Sequence, residues 1–397
     1  YDAGAINVGI CLDRFNDCSE LVACEPMDNS CYNPEHRCVH HPRCQNKPVC
    51  YPVPSFNQYL CPPKATNATT TTTLSTTTTV TATTTITTQQ PLWTPLRGSP
   101  IDIPEDAHWE QRGVTVAGGN GEGNGTNQFY NPDGLFVDDE ETLYIADQRN
   151  HRIIQWRANA TTGQVVAGGN GKGNETHQLQ WPTDVIVDKE TDSLIICDNG
   201  NNRVVRWPRQ NSTSGITIIS NVDCWGLTMD EGGSLYVSLS SKGEVRRYRR
   251  GESEGTVVAG GNGRGNNLNQ LDVPSFVFVD RDHTVYVSDL FNHRVMKWKK
   301  NAKIGIVVAG GHGLGSSLKQ LQNARGVVVD QLGTLYVSDD GNDRIMRWPE
   351  GATQGSVAID GKAGQWTGVN GLSFDHYGNL YVVNFDNYRV RRFDLMK

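Results

Sequence analysis

Glycine-rich stretches are the first residues in this chain whose spacing suggests chemistry. "VVAGGNGKGN" at residues 165–174 contains one of four such loops, and the others are "AGGNGEG" (117–123), "AGGNGRG" (259–265) and "AGGHGLG" (309–315). Loops of this kind cradle phosphate when they open a helix. No helical pattern follows these loops, and Asn or Lys stands where a calcium-binding loop needs carboxylates. We therefore interpret them as tight turns, in which glycine supplies positive φ angles.

The loops recur because the C-terminal part of the chain is built from repeats, with a period of about 41–51 residues. Each copy contains three short β-rich runs, such as "GLFVD", "LYIAD" and "HRIIQW", and a fourth run, such as "VVAGG", leads into the next copy. Four short antiparallel strands per unit are typical of a β-propeller blade. The copies begin at Pro132, Pro182, Cys224, Pro274, Ala324 and Asn370.

The fourth run indicates how the ring closes. Repeat six has no fourth run before the chain ends at Lys397, whereas an unpaired copy, "VTVAG" at 114–118, precedes repeat one. We expect this copy to form the outer strand of blade six, which leaves no open sheet edge. The sequence therefore predicts an all-β, six-bladed propeller over residues 93–397, after a cysteine-rich module (1–64) and a Thr-rich linker (65–92).

The repeats "ADQRNHRIIQW" and "SDLFNHRVMKW" carry an Asn-His-Arg signature, and residues 112–397 resemble NHL-repeat six-bladed propellers. Repeats two, five and six keep the arginine, whereas repeat three departs from the pattern, so we expect a less regular third blade. The matching residues are Asn150, His151 and Arg152 in repeat one, Asn292, His293 and Arg294 in repeat four, then Arg203, Arg344 and Arg389; the departures are Leu239, Lys242, Gly243 and Glu244.

These repeated positions have structural explanations. The Asp that ends the second run can accept backbone hydrogen bonds, and the Arg can pair with it. His151 and His293 occupy equivalent places in two repeats, which favours a structural role over a catalytic one. Every repeat ends in an aromatic residue, which we expect to pack between blades. The Asp residues are Asp147, Asp198, Asp289 and Asp339, and the aromatic residues are Trp156, Trp207, Tyr248, Trp298, Trp348 and Phe393.

The residues just before each inner strand are the candidates for ligand binding, because propellers commonly bind ligands around the channel where inner strands begin. They show no metal-ligand set and no catalytic triad. We expect a solvated rim there or a site for a polar ligand, and no cofactor or metal. The six channel-face candidates are Asp133, Thr183, Trp225, Ser275, Arg325 and Asn370.

Ten cysteines point to an oxidising compartment. Eight of them lie within residues 11–61, which predicts a disulfide framework. A zinc site that uses nearby histidines is the alternative, although no Cys-x-x-Cys pair is present. The other two, Cys197 and Cys224, fall at neighbouring places in adjacent blades, so we predict a disulfide between them. The eight are Cys11, Cys18, Cys24, Cys31, Cys38, Cys44, Cys50 and Cys61.

Glycosylation signals agree with secretion. Five Asn-x-Ser/Thr sequons are present, at Asn67, Asn124, Asn159, Asn174 and Asn211. The Thr-rich tract resembles a mucin-like carrier of O-linked glycans or, alternatively, a passive linker. The predicted acceptors are Thr69, Thr70, Thr71, Thr72, Thr73, Thr76, Thr77, Thr78, Thr79, Thr81, Thr83, Thr84, Thr85, Thr87 and Thr88.

Charge and hydropathy narrow the classes of function that the sequence allows. The net charge is −7, which disfavours a nucleic-acid partner, and no apolar run is long enough to span a bilayer. The chain starts at Tyr1, so we interpret it as a mature secreted chain. The sequence predicts a non-catalytic structural or interaction protein that self-assembles into a homopolymeric extracellular filament or matrix. The alternatives are a monomeric stalked propeller that binds a glycan or protein, and a metal-dependent lyase of the peptidyl-amidoglycolate type, as the NHL resemblance implies.

Overall fold

The computed structural model describes residues 97–98, 101–210, 212–364 and 366–396, and three short strands nearer the N-terminus. The chain divides into two compact units, residues 1–87 and 88–397. The first contains an antiparallel sheet in the order β1-β3-β2, formed by β1 (Val22–Ala23), β2 (His36–His40) and β3 (Pro48–Pro52). The predicted boundaries at 64 and 92, the bonds of the eight N-terminal cysteines and the threonine acceptors lie outside the described residues.

The second unit consists of six four-stranded antiparallel sheets, which confirms the predicted six-bladed propeller. Its first strand is β4 (Val114–Gly118). Blade 1 contains β5 (Pro132–Val137), β6 (Leu143–Asp147), β7 (Arg152–Trp156) and β8 (Gln164–Gly168); blade 2, β9 (Pro182–Asp188), β10 (Ser193–Asp198), β11 (Arg203–Pro208) and β12 (Ile216–Ser220); blade 3, β13 (Cys224–Met229), β14 (Leu235–Leu239), β15 (Glu244–Tyr248) and β16 (Thr256–Gly260).

The remaining strands follow the same order. Blade 4 contains β17 (Pro274–Val279), β18 (Val285–Asp289), β19 (Arg294–Trp298) and β20 (Ile306–Gly310); blade 5, β21 (Ala324–Val329), β22 (Leu335–Asp339), β23 (Arg344–Trp348) and β24 (Ser356–Asp360); blade 6, β25 (Val369–Phe374), β26 (Leu380–Asn384) and β27 (Arg389–Phe393). A short helix, α1 (Gly361–Gly364), lies between blades 5 and 6, and 3₁₀ turns span Gln148–Asn150, Asn199–Asn201, Leu290–Asn292, Asp340–Asn342 and Phe385–Asn387.

Blade 6 closes the ring as predicted. Its outermost strand is β4, which pairs antiparallel with β27 and places Gly118 opposite Arg389. Blade 3 has the same four strands as the others, although among the described residues it lacks the 3₁₀ turn between its second and third strands. The departure in repeat three therefore changes one turn and leaves the sheet intact.

Strand direction gives the propeller two different faces. The upper face, where the inner strands begin, carries the glycine-rich loops and the 3₁₀ turns. The lower face carries the turns that join first to second strands and third to fourth strands. The aromatic residues that end the third strands are buried within the blades. Each ring lies against a glycine before the outer strand of its own blade; a Cβ atom at Gly305, for example, would lie 2.7 Å from Trp298 Cε2.

Candidate functional site

The six channel-face candidates are brought together around the upper mouth of the central channel. Each is the second residue of an inner strand, so they lie inside the strands and not before them, which corrects the sequence-based placement. Four of the six side chains are buried, and those of Trp225 and Arg325 are partly exposed. The ring of six is therefore a packed polar layer and not the solvated rim that the sequence allowed.

Two hydroxyl-bearing members of the layer join neighbouring blades. Thr183 Oγ1 donates a 2.8 Å hydrogen bond to the carbonyl of Trp225 in blade 3. Ser275 Oγ lies 3.4 Å from the carbonyl of Ala324 in blade 5. Ser338, on a second strand, likewise donates to the carbonyl of Asn370 at 2.6 Å. These hydroxyls satisfy inner-strand carbonyls that have no strand beyond them, so their role is structural.

Asp133 is the most perturbed titratable group of the layer. Asn370 Nδ2 donates to its Oδ1 at 2.5 Å, and Gln148 Nε2 donates to its Oδ2 at 3.0 Å. Burial raises the pKa of Asp133 to about 7, although the positive charge of Arg325 opposes the shift. A pKa near neutrality means that the Asp133 carboxyl group changes its charge within the physiological pH range.

Arg325 supplies the positive charge of the mouth. Its Nε donates to Asp340 Oδ2 at 2.9 Å, and its guanidinium lies 5.8 Å from the centre of the Phe385 ring. Asp340 and Phe385 both belong to 3₁₀ turns of the upper face. The mouth thus combines an ion pair, an aromatic ring and the Asp133 carboxyl group.

Two buried polar atoms of this layer have no hydrogen-bond partner among the described residues. They are Asn370 Oδ1 and Trp225 Nε1. The Asn370 side chain is only 4 % exposed. Leaving such an atom unpaired costs about 1–3 kcal/mol, so native proteins rarely do so without a reason. The layer therefore keeps one buried acceptor and one buried donor without a partner in the described part of the chain.

The channel itself contains Arg97, which the sequence analysis did not single out. Its guanidinium donates to three inner-strand carbonyls, those of Leu135, Val185 and Leu227, at 2.7–2.8 Å. It also forms a 2.5 Å ion pair with Asp184. Burial raises the pKa of Asp184 to about 6, against the attraction of Arg97.

The residue after Arg97 completes the closure of the lower end of the channel. A Cβ atom at Gly98 would lie 2.9 Å from the Val329 carbonyl and 3.2 Å from the Phe278 ring. The Arg97 carbonyl accepts from the backbone of Phe374 in blade 6. Arg97 and Gly98 together therefore reach the inner strands of all six blades. A ligand would enter the polar layer from the upper face.

Arg97 and Gly98 together form a plug at the lower end of the channel, which we call the Arg97 plug. The sequence contains one signal for it. Blades 1, 3, 5 and 6 carry glycine at the third position of the inner strand, where blade 2 carries Asp184. An acidic residue at a crowded inner position needs a cationic partner. The partner, however, lies 87 residues away in sequence, and no local pattern identifies Arg97 as that partner.

The Asp, Asn and Arg side chains at the repeated positions form hydrogen bonds with one another and with the preceding glycine-rich loop, and we call this arrangement the Asp-Asn-Arg clamp. In blade 4, Asp289 Oδ2 accepts from Asn292 Nδ2 and Arg294 Nε, while its Oδ1 accepts from the backbone of Asp272. Arg294 also donates to the loop carbonyls of Asn266, Asn267 and Gln270. The clamp thus fixes the loop that enters its own blade, which is a structural role.

The two repeated histidines connect neighbouring blades. His151 Nδ1 accepts from the backbone of Trp181 at 3.2 Å, and His293 Nδ1 accepts from that of Asn323 at 3.1 Å. Burial and nearby cations lower the pKa of His151. Within the described residues, no group of three His, Cys, Asp or Glu side chains is arranged to hold a metal ion.

Cys197 and Cys224 form a disulfide that joins blade 2 to blade 3, with Cα atoms 5.7 Å apart. This bond is compatible with an extracellular protein.

The sequons at Asn124, Asn159 and Asn174 are exposed, whereas Asn67 and Asn211 lie outside the described residues. In the described part of the chain, no helix has the length and apolar character required to cross a bilayer.

Comparison with known proteins supports the fold. No protein-family model and no curated protein sequence matches the chain. A solved protein of unknown function from Bacteroides thetaiotaomicron is similar, with a TM-score of 0.57, 14 % identity, and coverage of 73 % of this chain and 77 % of that one. An auxiliary nutrient binding protein from the same organism has a TM-score of 0.55 and 15 % identity, over 72 % of this chain and 76 % of that one.

A third comparison corrects the expectation that the protein is non-catalytic. A gluconolactonase from Xanthomonas campestris has a TM-score of 0.51 and 14 % identity, over 76 % of this chain and all of that one. Enzymes thus occur among propellers similar to this chain, and the sequence-based exclusion of catalysis is wrong. At these identities the likeness shows a shared fold, and function has to be argued from the site.

Proposed function

We propose that this protein is a secreted glycoprotein that recognises a polyhydroxylated ligand, such as a sugar, at the upper mouth of its propeller. The observation that carries the proposal is the pair of buried, unpartnered atoms in the inner layer, Asn370 Oδ1 and Trp225 Nε1. A hydroxyl group donates one hydrogen bond and accepts others, so a polyol satisfies an amide oxygen and an indole N–H at the same time.

The surrounding groups suit such a ligand. Asp133 and Arg325 add a proton-exchanging carboxyl group and a positive charge, while Phe385 and Trp225 offer apolar ring faces to the C–H side of a sugar. Binding sites commonly combine a few placed polar groups with aromatic walls. The similar propellers named as a nutrient binding protein and a gluconolactonase agree with a small polar ligand.

Secretion belongs to the same proposal. It rests on the ten cysteines, the five sequons and the Thr-rich tract at 65–92. The Cys197–Cys224 disulfide and the exposure of Asn124, Asn159 and Asn174 support it.

Head-to-tail self-assembly is the second candidate function. One observation favours it: the lower face holds the chain's own residues 101–110, which include a hydrogen-bonded turn from Pro104 to Ala107, so this face binds peptide chain. Electron microscopy of the full chain at several concentrations tests this candidate. Filaments whose repeat matches one protomer would support it, and isolated particles at every concentration would exclude it.

The ligand proposal is tested by screening the full chain against a saccharide array and measuring the best binder by calorimetry. Trp225→Phe replaces the indole by a phenyl ring and so keeps an aromatic face while it removes the N–H; we expect binding to weaken about tenfold. Trp181→Phe, at an exposed tryptophan of the upper face, is the matched control and should bind like the wild type. Equal affinity for both variants, or no binder in the array, would refute the proposal. The mixtures are also analysed for chemical conversion, which distinguishes turnover from binding.

A further inference from the structure

The outer strand of each blade has one open edge. Within the described residues every outer strand, β4 included, pairs with one other strand, which corrects the expectation that ring closure leaves no open sheet edge. In blades 1, 2, 4 and 5 the entry loop lies against the start of this edge. There the glycine before the outer strand donates its N–H to a loop carbonyl at 2.7–2.9 Å. The pairs are Gly163 and Thr126, Gly215 and Thr176, Gly305 and Leu268, and Gly355 and Leu318.

The outer edges of blades 3 and 6 lack this cover. Neither blade is entered through one of the four glycine-rich loops, and among the described residues the equivalent glycines, Gly255 and Gly113, form no such bond. In a ring of six blades, the third and the sixth lie opposite each other. The open edge of β16, which we call edge 3, and that of β4, which we call edge 6, therefore face away from each other.

Charged residues flank these two edges in reciprocal order. Arg112 stands two residues before β4, and Glu254 stands two residues before β16. Four residues after each strand the order is reversed, with Glu122 after β4 and Arg264 after β16. In the other four blades the residue two positions before the outer strand is uncharged, namely Thr162, Ser214, Ile304 and Gln354.

The first pair of these charges has no close internal partner. Arg112 and Glu254 are both exposed, and in the described part of the chain neither side chain forms a hydrogen bond or an ion pair. Arg246, the nearby cation that Glu254 attracts, is already paired with Glu244 at 2.7 Å. Arg112 and Glu254 are therefore available for a contact between copies of the chain.

Strand direction decides how two copies meet. Outer strands run from the lower to the upper face, so two copies that lie side by side with the same face up bring edge 3 against edge 6 in parallel. In-register pairing then places Glu254 beside Arg112. It also places Val257 beside Thr115, and β-branched neighbours of this kind stabilise a sheet. The backbone groups of both open edges find partners in the same contact.

We propose that edge 3 of one copy pairs, parallel and in register, with edge 6 of a second copy, and that repetition of this contact builds a linear homopolymer. The two edges differ and lie on opposite sides of the ring, so the contact is heterologous and leaves a free edge at each end. The proposal rests on head-to-tail self-assembly, the second candidate function, and is independent of ligand binding at the upper mouth.

The test follows assembly of the full chain by light scattering over a range of concentrations, with electron microscopy of the products. Glu254→Lys and Arg112→Glu each bring like charges together, so the concentration at half-assembly should rise about five- to tenfold. The chain with both changes restores the attraction in reversed order and should assemble like the wild type. Glu140→Lys with Arg157→Glu, at exposed residues of blade 1, is the matched control and should have no effect.

A cross-link tests the register. Thr115→Cys with Val257→Cys in one chain should form a disulfide between copies, identified by mass spectrometry of the peptides. In Thr115→Cys with Thr256→Cys the two thiols point to opposite faces of the joined sheet, so this variant should form none.

The outcomes separate this contact from self-assembly as such. A wild type that stays a single particle at every concentration would refute both. Assembly that stops at dimers, that is indifferent to both charge reversals, or that is not restored when they are combined would overturn the contact alone. Cross-linking of the out-of-register variant in preference to the in-register one would also overturn it.

Discussion

Asp184 and Arg97 form a charge pair in the centre of the molecule. Asp184 takes the place of an inner-strand glycine, and its oxygens accept from Arg97, from its neighbour Val185 and from Leu227 in the next blade. Both side chains are at most 5 % exposed. A buried carboxylate without its partner is strongly unfavourable, so the preceding segment and the propeller depend on each other.

Arg97→Ala should therefore destabilise the protein by about 3–5 kcal/mol, as expected for removal of one partner of a buried ion pair. Asp184→Asn in the same chain should recover part of the loss, since it removes the unpaired charge. Urea denaturation measures both variants. Arg149→Ala, at an exposed arginine, is the control. A loss below about 1 kcal/mol for Arg97→Ala would mean that the channel contact contributes little.

Asp133 gives a pH prediction. Its pKa is about 7 in the folded protein and near 3.8 when exposed, so the folded state holds the proton more tightly. Stability should then fall as the pH rises from about 4 to 7, because only the unfolded chain releases the proton in that range.

Asp133→Asn tests this dependence, since it keeps an oxygen opposite Asn370 and cannot ionise. Its stability should decline less than that of the wild type over this range, by about 2–4 kcal/mol. Denaturation midpoints at several pH values measure the difference. Asp139→Asn, at an exposed carboxylate, should follow the wild type. Parallel curves for the wild type and Asp133→Asn would contradict the assignment.

At the scale of the elements, glycine-rich loops and clamps occur together. Blades 1, 2, 4 and 5 are each preceded by such a loop and each carry the Asp-Asn-Arg clamp. Blade 3 is entered by a short link without this loop, and the clamp positions there hold Leu239 and Glu244. The Asp-Asn-Arg clamp is thus present in the blades that a glycine-rich loop precedes and is missing from blade 3, which has no such loop.

Arg294→Ala should loosen one loop without unfolding the blade. The variant loses hydrogen bonds to three loop carbonyls and the ion pair with Asp289. The Asp289 carboxylate keeps its hydrogen bonds from Asn292 and from the Asp272 backbone, so we expect a local loss, and charge-assisted bonds contribute about 1.5–3 kcal/mol. Amide exchange in residues 259–272 should accelerate about ten- to a hundredfold, as followed by mass spectrometry. The loop at 309–322, held by Arg344, is the internal control. Uniform acceleration of both loops would indicate global destabilisation instead.

The sequence predicts elements better than it predicts the site. Blade number, strand order and ring closure follow from the repeat and from the unpaired copy at 114–118, because each blade is specified locally. The alignment of the repeats also gives the channel-face candidates, because they stand at the start of each inner strand. Their hydrogen bonds, and the plug by Arg97, depend on contacts between blades that no local pattern encodes. Trp109 is another residue whose position depends on contacts between blades, since it is buried beside Tyr336 of blade 5 and Phe374 of blade 6.

At the scale of the whole molecule, two connections tie blades of the ring together. The strand β4 joins the start of the propeller to its last blade, and the Cys197–Cys224 disulfide joins blades 2 and 3. The second connection closes a loop of 27 residues. Constraint of the unfolded chain by a loop of this size stabilises a protein by about 3–4 kcal/mol.

Replacement of both cysteines by serine should therefore lower the free energy of unfolding by about 3–4 kcal/mol and leave the blades folded. Urea denaturation with circular dichroism measures the change. Treatment of the wild type with reductant should produce a shift of similar size if the N-terminal cysteines do not contribute. A double-serine variant as stable as the wild type would contradict the assigned role of this bond.

Binding of a polyhydroxylated ligand at the upper mouth of the channel is the function that we propose for this protein. The most direct test is a crystal structure of the full chain with the saccharide that binds best in the array. We predict that ligand hydroxyls lie within hydrogen-bonding distance of Asn370 Oδ1 and Trp225 Nε1, above the Arg97 plug. A saccharide bound only at the lower face or along the blade edges, with these two atoms still unpaired, would contradict the claim.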